Sequence, residues 1–229
     1  FMVGRMREER LLIVASYRSD DLYRRHPLRP LLAQLTRLPV VDRVDVVPFD
    51  IDEMGDYLTA LRGSPVTERT VRSILARSEG NAYFAQELLH ACSAGQLDDI
   101  DTGLLPAALA DVLLSRLEQL PATAQHVVWV ASVAGRRVGN DLLEQAAGLG
   151  GAELEPALRE AVTHQVLVPE EGQRYAFRHA LLAEAVYGDL LPGERVRLHS
   201  TYARLIDEAA DTRTPLGSAA ELAHHRMQS

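Results

Sequence analysis

The pattern of apolar and polar positions changes along the chain and predicts mixed structure at its start. Residues 10–17 form a short apolar run, typical of a strand buried on both faces of a parallel sheet. Leucines three and four apart over residues 27–38 predict a helix with one apolar stripe, and residues 44–49 form a second apolar run. A lone strand needs neighbours in a sheet. We therefore predict that residues 1–49 form the C-terminal part of an α/β core whose other strands are missing from these residues.

From residue 50 the pattern predicts helices. Asp50 and Glu53 have the spacing of a capping box, Thr67 precedes a second helix that ends at Gly80, and a third helix covers about residues 83–94. Residues 50–100 therefore predict a small helical subdomain. Residues 98–103 are acidic, contain glycine and lack apolar periodicity, which predicts a linker and a domain boundary near residue 100.

Residues 101–190 predict three helices followed by a β-hairpin, which is the order of a winged helix. Leucines at spacing four begin this part at residues 105, 109, 113 and 117, and helices follow at about 122–134, 140–147 and 153–166. Two short strands over residues 166–177 flank a turn at residues 170–172. Further helices at about 179–190, 193–210 and 216–227 predict a mainly α fold, with residues 191–229 starting a helical array.

Composition and charge narrow the classes of function. The chain has 229 residues, 47% of them hydrophobic, and a formal net charge of −8. An acidic protein lacks the basic face that nonspecific nucleic-acid binding needs. We therefore expect a protein partner rather than a nucleic acid. There is no long apolar run, no secretory signal pattern and only one cysteine, Cys92, from which we expect a cytoplasmic protein without a membrane partner.

The chain contains no lysine, because all 24 of its residues counted as lysine or arginine are arginine. A Walker A loop needs a lysine on the β- and γ-phosphates of the nucleotide. Schiff-base chemistry also needs a lysine. We therefore expect no enzymatic activity from this chain alone.

Four stretches carry a family resemblance. Residues 11–18 read Leu-Leu-Ile-Val-Ala-Ser-Tyr-Arg, residues 78–89 begin Ser-Glu-Gly-Asn-Ala-Tyr-Phe, and residues 177–187 begin Phe-Arg-His-Ala. Together with residues 191–199 and 221–225, they resemble in order the sensor strand, lid motif, Phe-Arg-His motif and pre-TPR helices of large LuxR-type bacterial transcriptional regulators. These regulators belong to the STAND class of AAA+-like signalling ATPases. Ala82 stands where the lid motif has proline, and Ala180 replaces the aspartate of the related Met-His-Asp motif.

The resemblance implies a regulatory switch that senses ATP or ADP. Arg18 matches the arginine that faces the terminal phosphate, Gly80 and Asn81 match the lid near the adenine, and His179 matches the histidine that touches the diphosphate of ADP. Mg²⁺ would bind only in a full-length parent with Walker A and Walker B segments before Phe1. Implied partners are the nucleotide, other domains of the same polypeptide and a second copy of the chain. DNA would bind only through a domain outside this chain.

The same residues also have structural explanations. An arginine at a strand end often reaches solvent, a Gly-Asn pair is an ordinary helix end, and a single histidine is often a surface residue. Two other functions therefore remain open: a winged-helix DNA-binding module that reads DNA with residues 153–165, and a helical interaction scaffold. Glu153, Glu155 and Glu160 on the candidate recognition helix disfavour the first, since they repel phosphate.

Two further patterns have simpler interpretations. Residues 44–50 mimic a Walker B strand, but Pro48 disfavours a central strand and a helix cap explains Asp50 better. Glu221, His224 and His225 lie close in sequence, yet their spacing is not a known zinc motif and the sequence implies no further ligand. We therefore expect no metal site.

Overall fold

The computed structural model describes residues 11–18, 22, 26–91, 105–210 and 216–229. Within these residues the chain has eleven helices and one three-stranded antiparallel sheet, which confirms the mainly α class. The chain divides into two compact units, residues 1–47 and 48–229. The predicted linker at residues 98–103 lies outside the described residues, so the boundary near residue 100 stays a prediction.

The first unit contains helix α1 (Leu28–Leu35), which has no buried residue. The strand predicted at residues 10–17 does not form, because residues 11–18 are in neither a helix nor a strand and are exposed. Leu12 and Val14 are 85% and 82% exposed, and Arg18 is exposed at the end of the same segment. Residues 44–47 likewise form no strand. The physical reason is that a strand needs hydrogen-bonding neighbours, and no described strand pairs with either segment.

The second unit begins with three helices, α2 (Ile51–Arg62), α3 (Glu68–Ser78) and α4 (Ala82–Ala91). The predicted capping box is confirmed: Asp50 accepts hydrogen bonds from the backbone of residues 52 and 53, while the Glu53 carboxylate accepts one from the Asp50 N–H. Thr67 caps α3 through its hydroxyl, as predicted. These caps satisfy backbone donors that have no partner within the helix.

The remaining elements of the second unit follow the predicted order closely. They are α5 (Ala107–Glu118), α6 (Ala122–Val133), β1 (Arg137–Gly139), α7 (Asn140–Ala147), α8 (Gly151–Thr163), β2 (Leu167–Glu170), β3 (Arg174–Phe177), α9 (Ala180–Asp189), α10 (Pro192–Ala209) and α11 (Ala219–Gln228). The predicted hairpin is confirmed, with its turn one residue later, at residues 171–173. The sheet also includes β1, a strand that the apolar pattern does not predict because it has only three residues.

The sheet is antiparallel throughout, in the order β1-β3-β2. Val138 of β1 is opposite Tyr175, and Val168 of β2 is opposite Ala176. Arg137 on one edge strand reaches Glu170 on the other, with its Nε 2.9 Å from a carboxylate oxygen. The central strand β3 is therefore held on both sides, and it leads directly into α9.

Helix α6 lies at the centre of the core of the second unit. It is buried on most of its circumference, through residues 124, 127, 128 and 130–133, and it packs against α5, α7, α8, α9 and α10. Tyr202 of α10 is fully buried, and its hydroxyl donates to the Val130 carbonyl at 3.0 Å, in the last turn of α6. Carbonyls in that position lack a donor within their own helix, so this bond attaches α10 to α6.

The apolar core is continuous from Met54 in α2 to Ile206 in α10. None of the helices in the described ranges is both long enough and apolar enough to cross a membrane.

Gly80 holds the chain before α2 against the turn between α3 and α4. It has a φ of +76°, and its carbonyl accepts a hydrogen bond of 2.9 Å from the Phe49 N–H. A Cβ at this position would lie 2.7 Å from the Phe49 carbonyl oxygen and 2.7 Å from the Pro48 Cβ. The position therefore needs glycine both for its left-handed conformation and for the close approach of another backbone segment.

We expect Gly80→Ala to destabilise the protein more than Gly63→Ala. Gly63 ends α2 with a φ of +71° and has open space around its Cβ position, so it is a matched control for the left-handed conformation alone, which costs about 1–2 kcal/mol. The clash at Gly80 adds about 1–3 kcal/mol. Urea unfolding measures both losses, and equal losses would contradict the role of the backbone contact.

Candidate functional site

The turn between α3 and α4 presents one acidic side chain. Glu79 and Gly80 both adopt the left-handed conformation, with φ values of 53° and 76°. Asn81 then caps α4, because its side-chain oxygen accepts hydrogen bonds from the backbone N–H groups of Tyr83 and Phe84 at 3.0 and 3.2 Å. Asn81 thus begins the next helix, whereas the sequence suggested the end of the preceding one as its structural role.

His179 is the residue before α9 and is positioned by the sheet. The Phe177 N–H donates to the Arg136 carbonyl at 2.9 Å, and the Arg178 N–H donates to the Val166 carbonyl at 3.0 Å. The backbone before His179 is therefore fixed to segments on both sides of β3. His179 has extended backbone angles, and its carbonyl accepts the first hydrogen bond of α9.

These two parts meet at a contact between His179 and Glu79. Nδ1 of His179 lies 3.2 Å from Oε2 of Glu79, and Arg136 forms an ion pair with the other carboxylate oxygen. The imidazole also meets the Phe84 ring edge to face, with 5.5 Å between the ring centroids. An ionised carboxylate only accepts hydrogen bonds, so Nδ1 carries the proton that His179 shares with Glu79. We call residues 79, 136 and 179 the junction.

Opposing effects act on the charge of His179. Burial lowers the pKa of His179 below its usual value, since only 21% of the side chain is exposed, and the charges of Arg178 and Arg116 lower it further. The hydrogen bond and the charge of Glu79 act in the opposite direction. Because burial prevails, His179 is neutral at neutral pH and donates to Glu79 as a neutral imidazole.

The junction contains His179, and two more of the four residues singled out from the sequence lie next to it. Gly80 and Asn81 follow Glu79 directly, and His179 contacts Glu79 across a separation of 100 residues. Arg18 belongs to the other compact unit. Sequence reasoning missed Glu79 and Arg136, because a left-handed glutamate has no signature in sequence and the ion pair depends on β1 packing beside β3.

Two surface clefts lie elsewhere in the described part of the second unit. One has a volume of about 910 Å³ and is lined mainly by α7 and α10, and the other, of about 430 Å³, lies beside β1, the hairpin turn and α11. Gly80, Asn81 and His179 line neither cleft.

No protein-family model matches the sequence, and a search of curated proteins found no match.

We expect Glu79→Gln to lower the pKa of His179 further. The substitution keeps the shape of the side chain but removes the charge that raises this pKa. Titration of the imidazole protons by NMR measures the change. Glu208→Gln is the matched control, because Glu208 pairs with Arg204 at an exposed position within α10. An unchanged or raised pKa of His179 in Glu79→Gln would contradict the contact.

We also expect the stability difference between the wild type and His179→Gln to depend on pH. The pKa of His179 is lowered in the folded state, so the unfolded chain binds more protons below about pH 6.5, the usual histidine value. The stability that neutral His179 contributes is therefore fully present above that pH and is lost as the pH falls. Glutamine does not titrate, so urea unfolding at pH 7.5 and pH 5 should show the wild-type advantage shrinking. A constant difference would contradict this prediction.

Proposed function

We propose that this chain forms part of a nucleotide-dependent regulatory switch, with ATP or ADP as its ligand. The observation that supports the proposal is the junction, where His179 and Arg136 share one carboxylate next to Gly80 and Asn81. It connects α2–α4, the proposed lid, to the part of the unit that carries the sheet. A change at this one contact would alter how the two parts pack.

The residues at the junction suit a phosphate group. Phosphate oxygens accept hydrogen bonds from an arginine guanidinium and from an imidazole N–H. The charges of Arg116 and Arg178 also act on the His179 imidazole. The Glu79 carboxylate is the anionic group that contacts both His179 and Arg136. We propose that the diphosphate of ADP competes with Glu79 for His179 and Arg136, so that nucleotide binding repositions α4 relative to α9.

Under this proposal the chain binds and reports the nucleotide but does not hydrolyse it. The missing lysine rules out a Walker A loop within these residues, so a longer protein would supply the Walker segments and bind Mg²⁺. Arg18, in the first unit, would belong to that nucleotide-binding core. The output would pass to other domains of the same polypeptide in a bacterial transcriptional regulator of the STAND class.

We further propose that α6 to β3 form a winged helix that acts as a structural relay. The order α6-β1-α7-α8-β2-β3 supports this interpretation. Helix α8 buries Leu154 and Leu158, while Glu153, Glu155 and Arg159 are exposed. Two carboxylates against one guanidinium do not favour a phosphate backbone, so DNA reading by α8 is the weaker alternative. Helices α10 and α11 would start the proposed repeat array.

We expect ADP to bind a longer chain that carries the preceding Walker segments, and His179→Ala to weaken that binding about tenfold, the equivalent of about 1.4 kcal/mol. Calorimetry measures the affinity. His90→Ala is the control, because His90 is exposed in the last turn of α4. If the longer chain binds no nucleotide, or if His179→Ala has no effect, the junction is a packing contact and the helical scaffold becomes the better explanation.

A further inference from the structure

Three histidines meet where α10 and α11 pack together. His199 of α10 and His225 of α11 are 1% and 3% exposed, and their Nδ1 atoms are 2.8 Å apart. His224 is exposed beside them, with ring centroids 5.7 Å and 5.4 Å from those of His199 and His225. One ring nitrogen from each histidine lies within 4.8 Å of the others. We call residues 199, 224 and 225 the histidine cluster.

Neighbouring tyrosines orient the two buried rings. The Tyr187 hydroxyl is 3.0 Å from Nε2 of His199, so it occupies the nitrogen that faces away from the cluster. Tyr202 stacks on the ring of His225, with centroids 5.0 Å apart and planes at 17°. Metal-bound histidines usually donate their second N–H to an oxygen in this way. The tyrosines leave Nδ1 of His199 facing Nδ1 of His225.

Helix α11 packs through a residue of the histidine cluster. His225 is the buried residue of this ten-residue helix, although an apolar side chain is the usual choice for such a position. An imidazole binds a metal ion through the lone pair of an unprotonated ring nitrogen.

From this geometry we propose that His199, His224 and His225 form a binding site for a divalent transition-metal ion, with zinc as its expected occupant. Imidazole nitrogens suit zinc, copper and nickel. Tetrahedral zinc with bonds of about 2.0–2.1 Å places its ligand atoms about 3.3 Å apart. The two Nδ1 atoms need to separate by only about 0.5 Å to reach that spacing, and the exposed His224 can rotate to complete the set.

A bound ion would attach the last described helix to the rest of the unit. It would link His199 of α10 to His224 and His225 of α11, adding to the ion pair between Asp207 and Arg226 at 2.9 Å. The exposed position of His224 leaves the fourth coordination position to solvent. The sequence shows only the His224-His225 pair and Glu221, because the third imidazole lies 26 residues away from His225 in the chain.

Titration of the untagged chain with Zn²⁺, followed by calorimetry, tests the site. We expect one ion per chain, and a visible absorption band when Co²⁺ replaces Zn²⁺. His224→Ala should weaken binding about tenfold or more, while His90→Ala, an exposed histidine of α4, should leave it unchanged. Zn²⁺ should also raise the melting temperature of the wild type more than that of His224→Ala, because a ligand that binds the folded state more tightly stabilises it more at the same concentration.

His199→Gln provides a second variant at a buried ligand, and circular dichroism shows whether it folds. If it folds, its zinc affinity should also fall. If it does not, His224→Ala decides the question alone, since that side chain is exposed. Absence of zinc binding at micromolar concentration would overturn the site. Equal affinity in the wild type and His224→Ala, or an equal loss in His90→Ala, would also overturn it.

Discussion

The packing of α6 determines the arrangement of the second unit. A helix that is apolar on most of its surface is stable only when other elements cover that surface. Five helices do so, and one of them, α9, begins directly after the central strand β3. Burying α6 therefore sets where α9 starts, which is the position of His179. The Tyr202 hydroxyl secures a further helix, α10, on the same core.

The α3–α4 turn depends on a second constraint, the close approach of two backbone segments. Gly80 allows Phe49 to come within hydrogen-bonding distance, and the preceding residue, Glu79, takes the left-handed conformation although it is not glycine. That conformation costs energy for a residue with a side chain. The contacts of its carboxylate with His179 and Arg136 offset the cost. Under the proposed function, a ligand that removed these contacts would leave the turn strained.

The junction and the histidine cluster use the same side chain in different surroundings. His179 faces a carboxylate, and the charges of nearby arginines also act on its pKa. His199 and His225 share a hydrogen bond between their Nδ1 atoms, which an ion bound to both imidazoles would replace. The first arrangement suits a contact that opens and closes. The second suits a fixed link between helices, and the two are independent.

Local features were predictable from the sequence by itself because they depend on neighbouring residues. The capping box of Asp50 and Glu53, the Thr67 cap, the buried leucines of α5 and the hairpin at residues 167–177 all follow from short-range rules. The strand predicted at residues 10–17 does not form over its described residues, since a strand forms only with partners. Tertiary structure alone decided that His179 meets Glu79 and that His199 meets His225, because packing brings together side chains whose separation in sequence carries no signal.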